Sequence, residues 1–409
     1  MSNPKILIIG AFDTKGEEHA FLRERILENG CEVLTMNFGV MGTTTLFDVD
    51  FESWDVASSG GEALAALQEM GDRGEAMKTM SFGAAYQAEQ LCKDGAIQGI
   101  IGMGGGGGTS VISAAMRALP IEIPKVCVST MAGGDVSAFV GVSNLTMIPA
   151  IVDVAGLNRI SRTVFTQAAG AICGMVRAEV PAAADEKPII AASMFGNTTE
   201  CVTACQKALE QNGYEVLVFH ATGTGGKTME SLADQQLLAG VLDITTTEWA
   251  DEVCGGVLSA GPNRLSAPGR NGIPHLVVPG CIDMANFGPI DAVPAEYRES
   301  GRNLYEWNPA VTLMRTNIEE NRRIGEIFAE KLNAATGPVA VLLPLGGVSI
   351  LDGGGERFCD READQAMFDA LKSNLRDDIR VEEIDAKIND AEFSKIAVEM
   401  MLELLASAS

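Results

Sequence analysis

A run of glycines in the first half of the sequence is its most prominent chemical feature. Gly104–Gly108 follows the apolar run Ile97–Ile101, and the next residues, Thr109 and Ser110, are good helix caps. Glycine permits positive φ angles and a close approach of the backbone, so successive N–H groups can converge on an anion at a helix N-terminus. Because a tight strand-to-helix turn needs fewer glycines than this, the pattern predicts a phosphate-binding loop.

This glycine loop does not match the common nucleotide-binding signatures. No Gly-Lys-Ser or Gly-Lys-Thr follows at the Walker A spacing, and no acidic residue ends the next strand as in a dinucleotide-binding fingerprint. A turn that needs its glycines only for packing therefore stays open as the alternative.

Three polar residues follow the first apolar strand, Ile6–Gly10. Lys15 can bind a phosphate as a point charge, Thr14 can donate a hydrogen bond, and Asp13 can hold Mg²⁺ or a ribose hydroxyl. The end of the first strand is a common ligand position in parallel sheets, which favours this role. The alternative is an ordinary helix start with exposed charges.

Two further segments extend the predicted anion site. Ser129, Thr130 and Met131 follow the next strand along the chain, and we expect their loop to line the same crevice. Arg159 opens a later helix and can bind an anion through two parallel hydrogen bonds. For Arg159 the alternative is a solvent-exposed or inter-lobe salt bridge.

The second half of the sequence repeats the glycine loop and adds side chains suited to acid–base or covalent chemistry. The segment His220–Thr228 contains Gly-Gly-Lys-Thr, but Ala221 stands where Walker A requires glycine. His220 and Asp283 are candidates for general acid–base catalysis, and Cys281 is a candidate nucleophile if its pKa is lowered. Ordinary loop packing is the alternative for each of the three.

The elements that must position these residues follow from the hydrophobic pattern. Short β-branched runs that end in glycine alternate with amphipathic segments, which is typical of parallel strands covered by helices. The segment Glu179–Pro188 has the composition of a linker. We expect an α/β protein of two Rossmann-like lobes, residues 1–180 and 188–409, each a mostly parallel sheet with helices on both faces. Later strands are predicted at Gly256–Ser259, His275–Val278, Val339–Leu343 and Arg380–Ile384.

Composition narrows the functional classes. The 409 residues carry 30 Lys+Arg against 55 Asp+Glu, a formal net charge of -25, which argues against binding to nucleic acid or to an anionic membrane surface. No apolar run approaches the length of a membrane span, and no signal-peptide pattern is apparent. The 9 cysteines and 3 histidines form no metal-binding spacing. We therefore expect a cytoplasmic protein without a metal centre of its own.

Over nearly its whole length the chain resembles an uncharacterised two-domain family related to the tomato mosaic virus resistance protein, which is commonly labelled ATP-binding. The segments that carry this resemblance are Gly10–Glu17, the glycine loop with Thr109, Asp153–Ser161, Ala260–Leu265, Asp283–Gly288 and Asn308–Thr316. The resemblance implies ATP bound by the N-terminal lobe, with contacts from Asp13–Gly16, Gly104–Thr109 and Ser129–Gly134, and a homodimer. No settled reaction comes with the family.

Together these features predict a cytoplasmic ATP-binding protein, with ATP held alone or with Mg²⁺. A small-molecule enzyme site is expected in the C-terminal lobe or between the lobes. The alternative is a regulatory or interaction protein that binds ATP without turning it over, which the lack of an obvious catalytic base beside the glycine loop favours.

Overall fold

The computed structural model describes residues 3–181 and 185–408. Contacts divide the chain into two compact units, Met1–Pro181 and Ala182–Ser409, called here the N-terminal and C-terminal domains. Residues 182–184 of the expected linker lie outside the described residues. Within the described ranges, no helix has both the length and the apolar character needed to cross a bilayer.

The N-terminal domain is built on a parallel five-stranded sheet in the order β2-β1-β3-β4-β5. Its strands are β1 (Lys5–Gly10), β2 (Glu32–Asn37), β3 (Gly99–Gly104), β4 (Lys125–Ser129) and β5 (Thr146–Pro149). Its helices are α1 (Gly16–Glu28), α2 (Ser53–Ser59), α3 (Leu64–Met70), α4 (Arg73–Lys93), α5 (Gly106–Arg117), α6 (Ser137–Val140) and α7 (Arg159–Met175). The strand order reverses between β1 and β3, and this switch point is where such sheets open a crevice for ligands.

Both faces of this sheet are covered, which explains why β1 is continuously apolar. Leu7 and Ile9 pack with residues of α2, α4 and α5. Ile6 and Ile8, which point the other way, pack with residues of α1 and α7. Alternate residues of a strand point to opposite faces, so a strand buried on both sides must be apolar at every position.

The C-terminal domain contains a larger parallel sheet and a small antiparallel one. The parallel sheet has the order β14-β13-β9-β8-β6-β7, and the antiparallel sheet the order β10-β12-β11. The strands are β6 (Ile189–Met194), β7 (Glu215–His220), β8 (Gly240–Thr245), β9 (His275–Gly280), β10 (Met284–Phe287), β11 (Leu304–Asn308), β12 (Val311–Arg315), β13 (Val339–Pro344) and β14 (Arg380–Ile384). The helices are α8 (Thr199–Gln211), α9 (Thr224–Asp234), α10 (Glu248–Cys254), α11 (Ala267–Arg270), α12 (Ala295–Glu299), α13 (Ile318–Asn333), α14 (Arg361–Asn374) and α15 (Ala391–Ala408).

The predicted fold class is confirmed: each domain has a mostly parallel sheet with helices on both faces. One predicted strand, Gly256–Ser259, is wrong, because this segment is irregular. Its backbone turns around a buried carboxylate: the Leu258 N–H donates to Asp251 Oδ1 at 3.1 Å, so it is not available to a ladder. The central strand β8 and the antiparallel sheet were not predicted.

Candidate functional site

A cavity of about 530 Å³ opens in the N-terminal domain at the switch point between β1 and β3. Two of the predicted segments meet there: Asp13, Thr14 and Lys15, which follow β1, and Gly104–Gly108, which follows β3. They meet because parallel strands end at the same edge of a sheet. The lining also includes the apolar side chains of Phe38, Leu67, Met77 and Met80. The cavity thus combines a polar floor with an apolar wall, as small-molecule sites commonly do.

The five positions of the loop are not all glycine for the same structural reason. A Cβ on Gly104 would lie 3.0 Å from the Gly108 Cα, so packing alone excludes a side chain at Gly104. A Cβ on Gly105, Gly106 or Gly108 would meet its nearest atom at 3.7–3.8 Å, which is ordinary van der Waals contact. Within the described residues, the glycines with positive φ angles all lie outside Gly104–Gly108. Packing and backbone conformation therefore do not require these three glycines.

The loop also begins helix α5, with Gly105 as the N-cap residue and Gly106 as the first helical residue. The Thr109 N–H donates to the Gly105 carbonyl at 2.8 Å, which is the first bond of the helix. The N–H groups ahead of Thr109 therefore lack intrahelical partners and carry the positive end of the helix dipole. Without side chains above them, they are accessible from the cavity.

The predicted loop of β4 lies beside this cavity rather than in it. The Thr109 and Ser129 hydroxyls are both buried and share a hydrogen bond of 2.6 Å, so Thr109 is directed into the protein. Ser129 and Thr130 line a second, adjoining cavity of about 550 Å³. Met131 is 40% exposed, and its Sδ lies 3.7 Å from the position of a Cβ on Gly106.

Asp13 and Lys15 are held by neighbouring loops. The Met41 N–H donates to Asp13 Oδ2 at 3.0 Å. The other carboxylate oxygen, Oδ1, is buried and has no hydrogen-bond partner among the described residues. A Cβ on Gly39 would lie 2.2 Å from that oxygen, so glycine is required there. Lys15 Nζ donates to the Val154 carbonyl, which ties the end of β1 to the segment after β5. Thr14 is exposed at the cavity.

Three charged residues of the cavity lining were not predicted: Asp72, Arg73 and Asp153. Arg73 begins α4, and its Nη2 lies 3.3 Å from the position of a Cβ on Gly107. Asp153 follows β5 and lines both cavities. The sequence marks Arg73 as a helix start, because Asp72 caps α4, but it contains no signal that α4 crosses the glycine loop. The predicted Arg159 is exposed at the start of α7 and is not among the residues that line either cavity.

The second glycine loop, at the start of α9, already contains an anion that the protein supplies. The Glu248 carboxylate accepts hydrogen bonds from the N–H groups of Gly223, at 2.8 Å, and Gly226, at 3.0 Å. A Cβ on Gly226 would lie 2.2 Å from Glu248 Oε2. These glycines therefore make room for a buried side chain.

Glu248 belongs to a buried ion network around Arg264. The Arg264 guanidinium donates to Glu248 at 2.7 Å and to Asp243 with two hydrogen bonds, one of them 2.8 Å. Burial works to raise the pKa of Asp243, but the charge and hydrogen bonds of Arg264 hold that pKa below its ordinary value. Within the described residues this network is fully internal, which indicates a role in the fold.

The structure does not bring His220 and Cys281 together. His220 ends β7 and Cys281 follows β9, and β8 and β6 lie between those two strands. Three strand spacings correspond to about 14 Å, beyond the reach of a proton transfer. His220 is exposed and its ring centroid lies 5.5 Å from that of Phe195.

The environment of Cys281 opposes a nucleophilic role. Its thiol is fully buried among Met284, Leu313 and Phe358. Burial raises the pKa of this thiol well above its ordinary value, so the thiolate needed for attack is suppressed.

Asp283 lies in a buried carboxylate cluster at the ends of β9 and β13. The Ser349 hydroxyl donates to Asp283 Oδ2 at 2.7 Å, and Oδ1 has no partner in the described parts of the chain. Burial, followed by the negative charge of Asp352, raises the pKa of Asp283 to about 7, against the opposing charge of Arg315. Arg315 donates to Asp364 at 2.6 Å in the same cluster. Asp283 can thus hold a proton near neutral pH, but its side chain is fully buried.

Among residues 3–181 and 185–408, no group of three or more His, Cys, Asp or Glu side chains is arranged to hold a metal ion. All 9 cysteines are free thiols, and most of them are buried.

Comparison with known proteins shows which family the chain resembles. The N-terminal domain of the uncharacterised protein family UPF0261 matches residues 4–181, and the C-terminal domain of that family matches residues 187–405. A UPF0261 protein of Clostridium tetani is 47% identical over 404 residues, covering 98% of this chain and 99% of that protein. The ToMV resistance protein Tm-1(GCR237) of Solanum lycopersicum is 38% identical, covering 98% of this chain and 56% of the tomato protein.

Solved structures add little to this assignment. The Streptomyces sp. SF2575 glycosyltransferase SsfS6 covers 98% of this chain and 96% of its own, but with 12% identity and a TM-score of 0.23. Similarity this low supports no functional conclusion. The two matched domains and the full-length relatives show that the chain belongs to the uncharacterised two-domain family UPF0261.

Proposed function

We propose that the N-terminal domain binds a nucleotide, ATP, in the cavity at the β1/β3 switch point. The observation that carries this proposal is the surplus of glycine at the helical positions Gly106 and Gly108. At a helical position glycine is less favourable than alanine by up to about 1 kcal/mol, and the surrounding atoms leave room for a methyl group at these two positions. A ligand that must approach the backbone accounts for glycines that the folded chain does not itself require.

The residues present fit the parts of a nucleotide. The N-terminus of α5 supplies N–H donors for phosphate oxygens, with Lys15 and Arg73 as the cationic groups of the lining. The wall that contains Phe38, Met77 and Met80 suits a planar base. Asp13 also lines the cavity, and a carboxylate there can accept a ribose hydroxyl or face a phosphate-bound Mg²⁺. A cavity of about 530 Å³ is within the usual range for such ligands.

The proposal places no chemistry in the C-terminal domain. His220 and Cys281 lie on separate strands, and the Cys281 thiol is buried and protonated, so the predicted acid–base and nucleophile set lacks its geometry. Bound ATP would supply a phosphoryl group. The role proposed for this chain's own residues is to bind and orient the nucleotide.

Isothermal titration of the full chain with ATP, with and without Mg²⁺, tests the proposal. Saturable binding is expected for the wild type and is expected to be lost in Gly106→Asp, because a carboxylate at the start of α5 occupies and repels the phosphate position. Arg73→Gln is expected to weaken binding about tenfold or more. The matched controls are Gly170→Asp on the exposed face of α7 and Arg159→Gln, and both should bind as the wild type does.

Two outcomes would count against this site. Unchanged affinity in Gly106→Asp would show that ATP binds elsewhere, and absence of binding by a folded wild-type chain would remove the proposed function itself. Circular dichroism of each variant separates lost binding from lost folding.

We also propose that the protein is a cytoplasmic homodimer. Free cysteines throughout the chain suit a reducing compartment. The self-association is supported by exposed aromatic residues on one face of α4, where Phe82 is 63% exposed and Tyr86 is 54% exposed. Exposed aromatic clusters of this kind commonly mark protein interfaces.

A further inference from the structure

The second cavity of the N-terminal domain is a candidate site in its own right. It has a volume of about 550 Å³ and is lined by Ser129, Thr130, Gly133 and the segment Pro149–Asp153, at the carboxyl ends of β4 and β5. Asp153 lines this cavity and the one at the β1/β3 switch point, so the two adjoin.

The second cavity lies next to the proposed phosphate end of the first. The Thr130 N–H donates to the Gly104 carbonyl at 3.3 Å, and the Thr130 hydroxyl lies 3.7 Å from the position of a Cβ on Gly105. A molecule in the second cavity would therefore lie beside the start of α5.

A strained turn shapes the rim of this cavity. Ile151 has a φ of 65°, which is costly for a β-branched residue. The Val152 N–H donates to the Ala150 carbonyl at 2.7 Å, which closes a three-residue turn around Ile151. Turns of this kind with positive φ are rare and strained. Ile151 is also 72% exposed, so burial of its side chain does not offset the strain. Strain retained without a packing benefit is typical of ligand-binding segments.

The polar groups of the lining define the ligand chemistry. Within the described residues, neither the Thr130 hydroxyl nor the Asp153 carboxylate has a hydrogen-bond or ion-pair partner, and Asp153 is the charged residue of the lining. A lone carboxylate disfavours an anionic ligand. It accepts well from hydroxyl groups, which can in turn accept from Thr130. The apolar side chains of Ile151 and Val152 suit the C–H surface of such a molecule.

We propose that the second cavity binds a small neutral polyhydroxylated molecule, a sugar or polyol, beside the phosphates of the nucleotide. The position beside the phosphates rests on the proposed nucleotide site, whereas the cavity and its lining do not. Thr130 and Asp153 hold the hydroxyl groups, and the turn at Ile151 sets the rim. The nucleotide and the second molecule then meet at Asp153.

Saturation-transfer NMR on the full chain tests this site with glycerol, D-ribose and D-glucose as probes and with glycerate, D-ribonate and D-gluconate as their matched acids. At least one neutral probe is expected to bind saturably, and its matched acid to bind at least tenfold more weakly. Asp153→Asn and Thr130→Val are expected to weaken the neutral probe at least tenfold. Asp94→Asn, an exposed carboxylate that follows α4 on the opposite edge of the sheet, is the control and should leave binding unchanged.

Several results would overturn the site: no saturable binding of any neutral probe, equal binding of the acids, or neutral binding that survives both variants. ATP titration of the same samples keeps the two proposals distinct. Probe binding without ATP binding removes the nucleotide site and leaves this one. ATP binding without probe binding removes the site in the second cavity and leaves the nucleotide site.

Discussion

At the scale of single residues, the surroundings of a side chain determine what chemistry it can do. Cys281 has the residue type of a nucleophile, but burial keeps its thiol protonated. Asp283 has a pKa of about 7, the value expected of a general acid, yet its partners are Ser349, Asp352 and Arg315 inside the domain. A perturbed pKa marks a functional site only where a ligand can reach it. In the N-terminal domain, by contrast, Asp13 lines a cavity that a ligand can enter.

The raised pKa of Asp283 has a definite consequence for stability. Because its folded pKa of about 7 lies above its ordinary value of 3.8, the folded state holds a proton that the unfolded state has released. Stability is therefore lost as pH rises from about 4 toward 7, and this group contributes a loss on the order of 2–3 kcal/mol between pH 5 and 8. Asp283→Asn removes this titration, so the loss of stability between pH 5 and pH 8 should be smaller in this variant than in the wild type. Hydrogen exchange of peptides from β9 and β13 at pH 5 and pH 8 measures it.

The control for this prediction is Asp377→Asn, an exposed carboxylate of the same domain whose removal should leave the pH dependence as in the wild type. Equal pH dependence in the wild type and Asp283→Asn would contradict the structural account.

At the scale of elements, two similar glycine loops serve opposite purposes. Both follow a parallel strand and begin a helix, α5 in one domain and α9 in the other. The loop at α5 leaves its N–H groups open to a cavity, whereas the loop at α9 is filled by Glu248. The helix N-terminus attracts an anion in both cases. The difference is whether the chain itself supplies that anion.

Alanine substitution should distinguish the two loops by the sign of its effect on domain stability. Gly106→Ala is expected to leave the N-terminal domain as stable or to stabilise it by up to about 1 kcal/mol, because the methyl group fits and favours the helix. Gly226→Ala is expected to destabilise the C-terminal domain by about 3 kcal/mol or more, because the methyl group collides with the buried Glu248–Arg264 pair. Hydrogen exchange of peptides from α5 and α9 measures both effects. Destabilisation of similar size at both sites would contradict this distinction.

At the scale of the whole molecule, the face of α4 that carries Phe82 and Tyr86 is suited to pair with a second copy of itself. The aromatic pair is flanked by Glu75 and Lys78 on one side and by Glu89 and Lys93 on the other. In an antiparallel, two-fold pairing centred between the aromatics, Glu75 of one copy faces Lys93 of the other. A symmetric interface requires such self-complementarity.

A charge introduced on this face should therefore dissociate the proposed dimer. Phe82→Glu is expected to change the mass measured by light scattering after size exclusion from dimer to monomer, because it places a charge at the apolar centre of the pair. Ile160→Glu, which alters an exposed apolar residue on α7, is the control and should remain dimeric. A monomeric wild type, or a dimeric Phe82→Glu, would contradict this interface.

The sequence by itself determined the features that depend on neighbours along the chain. Apolar β-branched runs such as Ile6–Ile9 indicate strands buried on both faces, and the glycines after β3 indicate an open helix start, because strand and turn preferences are local. Only the tertiary structure decided which loops meet. Arg73 and Asp153 lie far along the chain from Asp13 yet line the same cavity, and Glu248 fills a loop that in sequence looks ready for phosphate. Such contacts depend on strand order and on which helix crosses which loop, and these follow from the packing of the whole sheet.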